Sequence, residues 1–92
     1  MATNITQIED TERGKIVLRV EGELFHADAI LLEKIALEMR EDIKRSITID
    51  LADLDLMDSD SAPILKRIEK EHGFEIEGIA YFLQKVIDET ER

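Results

Sequence analysis

The sequence predicts an α/β domain: one mostly parallel four-stranded sheet with three helices, in the order β-β-α-β-α-β-α. Three observations predict it. Ile16, Leu18 and Val20, and again Ile47, Ile49 and Leu51, alternate with other residues as strands do. Between those runs, Leu31, Leu32, Ile35, Ala36, Met39 and Ile43 recur at helical spacing. Strands that alternate with helices in this way imply right-handed crossovers and parallel pairing. The 92 residues, 43% of them hydrophobic, suit a single domain spanning 1–92 with one core. With only short helices available, one sheet covered mainly on one face is the economical arrangement.

Each element has a local reason. Ile5–Glu9 is expected as a short strand, followed by a turn at Asp10-Thr11-Glu12-Arg13-Gly14. Lys15–Glu21 is the clearest strand, and Gly22 ends it. The first helix is expected from Asp28, as its N-cap, to about Lys44. Arg40, Lys44 and Arg45 fall near its end, where positive charge suits the helix dipole. A central strand over Ile47–Leu51 follows, and Ala52–Asp55 continues irregularly to Leu56 and Met57. The second helix is expected from about Ser61 to His72, burying Ile64, Leu65 and Ile68, with Gly73 as its left-handed terminator. Phe74, Ile76 and Ile79 suggest a last strand. Tyr81 to about Glu91 is expected to close the chain as a helix, burying Phe82 or Leu83 with Val86 and Ile87.

Composition narrows the function. Twelve basic against 22 acidic residues give a net charge of −10, which repels nucleic acid and anionic membrane surfaces. A basic protein face is the natural complement. With no cysteine there are no disulfides and no thiolate chemistry. No basic-then-apolar leader appears at the N-terminus, and no apolar run approaches the ~18 residues of a membrane span, so a cytoplasmic protein without direct membrane insertion is expected. Neither metal nor cofactor is expected. Asp50, Asp53, Asp55, Asp58 and Asp60 lack the central glycine and closing glutamate of a calcium loop, and His26 and His72 stand far apart. No glycine-rich phosphate loop exists and no histidine base lies near Ser59 in sequence, so no enzyme activity is expected.

The segment Leu56-Met57-Asp58-Ser59-Asp60-Ser61 joins a strand pattern to a helix pattern. A serine there lies over the unpaired N–H groups that open a helix, where a phosphate can be held or read. Phosphorylation of Ser59 would add roughly −1.5 to −2 charges in one step. The helix end favours that charge by about 0.3–1 kcal/mol. Asp58 and Asp60, taken about 6 Å away, oppose it by about 2–3 kcal/mol at an effective dielectric of 20. Repulsion wins locally. A plainer reading also stands: Asp and Ser are preferred helix caps, and Pro63 is an ordinary helix-start proline.

Two segments resemble the STAS domain family, the module of anti-sigma-factor antagonists and sulfate-transporter tails. Val20-Glu21-Gly22-Glu23-Leu24, with His26 and Ala29 after it, is similar to the family's entry into its first helix. Ile47-Thr48-Ile49-Asp50-Leu51 through Leu56-Met57-Asp58-Ser59 is similar to its central strand and phosphoacceptor loop. The resemblance implies that Ser59 is the phosphoacceptor of a partner kinase that is itself the anti-sigma factor, and that phosphorylation releases the kinase. The implied contact face holds Phe25, His26, Asp58, Ser59, Asp60 and Ser61. The sequence departs from the family at Asp60 and Ser61, where Ser or Thr and then Gly are usual, at Pro63, and at Phe25, which replaces an acid. Short STAS-like proteins also serve as cytoplasmic subunits of lipid-transport ABC complexes, which makes a transporter ATPase the alternative partner.

Overall fold

A computed structural model of the chain describes residues 3–80 and 82. Its elements are β1 (Thr3–Asp10), β2 (Lys15–Leu24), α1 (His26–Ile43), β3 (Ser46–Asp50), β4 (Leu54–Met57), α2 (Ser61–Lys70) and β5 (Glu75–Glu77). The sheet runs β1-β2-β3-β5, with β4 also paired to β2. β1 and β2 form an antiparallel hairpin from Thr3↔Gly22 to Asp10↔Lys15, while every other pairing is parallel. The sheet is therefore mixed and five-stranded, not the mostly parallel four-stranded sheet expected. The tight link through Gly14, at φ +65°, forces β1 to run back along β2.

The fifth strand comes from the stretch expected to be irregular. β3 stops at Asp50 because the next N–H groups go elsewhere. Leu51 donates to the Glu77 carbonyl at 2.9 Å, Ala52 to Asp50 Oδ1 at 3.0 Å, and Leu54 back to the Leu51 carbonyl at 3.2 Å. The chain then rejoins β2, with Leu54 opposite Gly22 and Leu56 opposite Glu23. That two-for-one step is a bulge at Asp55, and it turns Leu54 into the core and Leu56 outward. Gly78 permits the break, since a Cβ there would lie 2.5 Å from the Ala52 nitrogen.

Other boundaries moved for tertiary reasons. α1 begins at His26 rather than at Asp28. Asp28 occupies the third helical position, and its Oδ2 accepts the Phe25 N–H at 3.2 Å. Ile79, expected in the last strand, is helical, as are Ala80 and Phe82; Gly78, at φ +78°, makes the turn. The Phe82 N–H reaches the Gly78 carbonyl at 3.1 Å. The remainder of the expected closing helix, with Leu83, Val86 and Ile87, lies outside the described residues. Among the described residues α1 and α2 are the complete helices.

Ile16, Leu18, Val20 and Leu24 of β2, with Ile47 and Ile49 of β3, form the core against Leu32 and Ala36 of α1 and Ile64, Leu65 and Ile68 of α2. Burying a large aliphatic side chain contributes about 1.5–3 kcal/mol, so this layer holds the fold together. Leu31, expected on the buried stripe, is half exposed instead. α1 and α2 are tied by Glu33, whose carboxylate meets Arg67 Nε at 2.6 Å and His72 Nε2 at 3.0 Å. The other sheet face carries Lys15, held 2.8 Å from Glu75 and 2.9 Å from Glu77. β2 and β4 end side by side, at the pole where both helices begin.

Candidate functional site

Leu24 and Met57 are paired at the ends of β2 and β4, so the residues that follow each strand meet. The Asp58 N–H donates to the Leu24 carbonyl at 3.2 Å. The Asp58 carboxylate then serves both helices. Its Oδ1 accepts the Ser61 N–H at 2.9 Å and the Ser61 hydroxyl at 2.6 Å; its Oδ2 accepts the His26 N–H at 3.1 Å. One aspartate therefore satisfies N–H groups at the start of α1 and of α2, which a helix leaves unpaired. These bonds, led by that of the Ser61 hydroxyl, hold the Asp58 carboxyl below its ordinary value of 3.8.

The six expected contact residues divide into two groups. Phe25, His26, Ser59 and Asp60 are exposed, Asp58 is half-buried, and they gather at one pole. His26 Nδ1 lies 3.3 Å from the Asp60 carbonyl, which links the two segments. The Ser59 hydroxyl has no hydrogen-bond partner among the described residues. Ser61 is a correction: it is 0% exposed, with its hydroxyl 2.6 Å from Asp58 and 3.1 Å from the Leu24 carbonyl. It anchors the loop from inside and presents nothing to a partner. Asp60, which the sequence suggested as a cap, makes no side-chain cap bond to α2; Asp58 does that work from two residues earlier.

Of the apolar part of this surface, sequence reasoning found Phe25 and missed Ile30, Leu31 and Leu56. The exposed large hydrophobic residues among those described are Phe25, Ile30, Leu31 and Leu56. All four lie toward the same pole: Phe25 before α1, Ile30 and Leu31 early in it, and Leu56 near the end of β4. Ile30 carried a signal, because it falls outside the Ala29-Leu32-Ala36 stripe. Leu56 carried none, since only the bulge turns it outward. Glu23 and Asp55 stand at the same strand ends, whereas Asp50 and Asp53 lie beside Arg19, at 3.9 and 3.6 Å.

A family model for the STAS domain matches residues 3–88. The chain belongs to the STAS domain family. Among solved structures, this STAS domain is similar to an antisigma-factor antagonist STAS domain from Rhodobacter sphaeroides, at 21% identity and a TM-score of 0.65, covering 91% of this chain and 95% of that one. It is also similar to an uncharacterised protein with a SpoIIAA-like fold from Shewanella loihica, at 18% identity and a TM-score of 0.62, covering 97% of this chain and 79% of that one. Identities this low show the shared fold. Comparison with curated proteins finds no match. Among the described residues, no helix of the STAS domain is long and apolar enough to cross a membrane, and no group of three or more His, Asp or Glu residues is placed to hold a metal ion.

Proposed function

We propose that this STAS domain is a non-catalytic interaction module of the anti-sigma-factor-antagonist type, switched by phosphorylation of Ser59. Its partner is a serine-kinase-type anti-sigma factor or a related regulator. The supporting observation is the contrast within the loop. Asp58 and Ser61 are locked by four hydrogen-bond contacts of their side chains, besides backbone bonds, while the Ser59 hydroxyl between them is exposed and unbonded. Such a side chain can enter a partner kinase without disturbing the loop that presents it.

A phosphate on Ser59 would find little to hold it. The Ser61 N–H is already taken by Asp58, and Pro63 has none to offer. Asp58 and Asp60 flank it with like charge. The modified pole becomes more anionic and more hydrated around an apolar patch, which is the right sign for release of a partner. The test uses the purified domain as bait in lysate of its native host, followed by calorimetry on the captured protein. A serine-kinase-type regulator is expected, bound at least about tenfold more weakly by Ser59→Asp, equivalent to about 1.4 kcal/mol. Capture of a transport ATPase, or unchanged affinity in Ser59→Asp, would contradict the proposal.

A further inference from the structure

Among the described residues every left-handed backbone position is glycine except one. Gly14, Gly22, Gly73 and Gly78 have φ of +65°, +84°, +76° and +78°, while Lys44 closes α1 at φ +56°. Glycine is the usual residue at such a helix end, because a Cβ in this conformation crowds the carbonyl oxygen. A charged side chain thus occupies a position whose backbone suits glycine, and outliers of this kind gather at ligand clamps.

Lys44 lines a hollow of about 400 Å³ together with Arg40, Arg45 and Ser46, at the pole opposite Ser59. Arg40 is fixed in place: its guanidinium lies 4.4 Å from the centre of the Phe74 ring and donates to the His72 carbonyl. Glu75, the carboxylate in the wall, is occupied by Lys15 at 2.8 Å and Thr48 at 2.7 Å. Arg45 meets Glu9 at 2.8 Å, in a surface ion pair that is weak and easily opened. The Lys44 ammonium has no acidic partner among the described residues. Three cations line this hollow beside the Ser46 hydroxyl, a local excess of positive charge in a chain of net charge −10.

We propose that this hollow binds a small phosphate-type dianion. Arg40 and Arg45 supply guanidinium donors suited to its oxygens, and Lys44 supplies a mobile point charge at the rim. The site is independent of the Ser59 loop.

The test is a nitrogen-15 amide NMR titration of the full chain with inorganic phosphate, against chloride at matched ionic strength. Saturable, phosphate-selective shifts are expected at residues 44–47 and 73–75, with residues 57–61 unmoved. Lys44→Gly should weaken binding roughly tenfold, the loss of one charge-assisted contact. The same substitution should leave Tm unchanged or raised, because glycine suits the backbone there. Arg45→Gln, with the backbone untouched, should weaken binding as well. Non-saturating shifts, an equal response to chloride, or unchanged affinity in both variants would overturn the proposal.

Discussion

Asp58 joins more of the site than any other side chain described, and its role could be read only in part from the sequence. A helix cap near Asp58-Ser59-Asp60-Ser61 was legible from residue type. That Asp58 would cap α2 and also take the His26 N–H was not, because the second contact spans 32 positions and depends on β2 and β4 ending together. Asp58→Ala should lower the midpoint of urea unfolding with little change in its slope, since the His26 N–H loses its carboxylate acceptor and Ser61 keeps only its longer contacts to the Asp58 and Leu24 carbonyls. Ser59→Ala should leave the midpoint in place. The pH dependence follows with a definite sign. Asp58 has a folded-state pKa below its unfolded value, so its contribution is full above about pH 4 and is lost as pH falls through the lower folded value. Glu33, held down first by its Arg67 hydrogen bonds and also by that of His72, acts in the same direction. Acid titration of Asp58→Asn, followed by circular dichroism, should therefore show a shallower loss of stability below about pH 4 than the parent.

Among the elements, strands and helices with strong periodicity were legible, whereas boundaries set by distant partners were not. The Ile64-Leu65-Ile68 stripe stands where its pattern placed it, and Lys15–Glu21 is a strand as expected, but Gly22 does not end it: pairing with β1 and β4 carries β2 on to Leu24. β4 was hidden because its Leu54-Asp55-Leu56 alternation is broken by a bulge, so neither face is continuous. Gly78 is the residue that makes this arrangement possible. Gly78→Ala should cost about 2–4 kcal/mol, combining a left-handed backbone with an overlap against the Ala52 backbone that only a main-chain shift relieves. Chemical denaturation measures it, and a loss below about 0.5 kcal/mol would mean that the two segments do not pack this way. Ile49, which is 0% exposed in β3, makes a stronger demand. Ile49→Asp should abolish the cooperative melt, because a buried unpaired carboxylate has no compensating partner there.

For the whole molecule, composition foretold the charge but not its distribution. The pole of Ser59 carries Glu23, Asp55, Asp58 and Asp60, and the exposed Phe25, Ile30, Leu31 and Leu56 lie toward it. The opposite pole holds Arg40, Lys44 and Arg45 around one hollow. Parallel strands sort the two ends in this way, since each crossover helix starts at one pole and returns to the other. Partner association at the acidic pole should therefore slow as salt rises, because screening shortens to about 8 Å at physiological ionic strength. Stopped-flow association rates over a salt series measure it. The most direct test of the switch is calorimetry of the captured partner against two forms of this domain, one unmodified and one with phosphoserine installed at position 59. The phosphorylated form should bind at least about tenfold more weakly, with a Tm close to that of the parent. Equal affinity for the two forms would contradict it, leaving Ser59 a passive surface residue beside the Asp58 clamp.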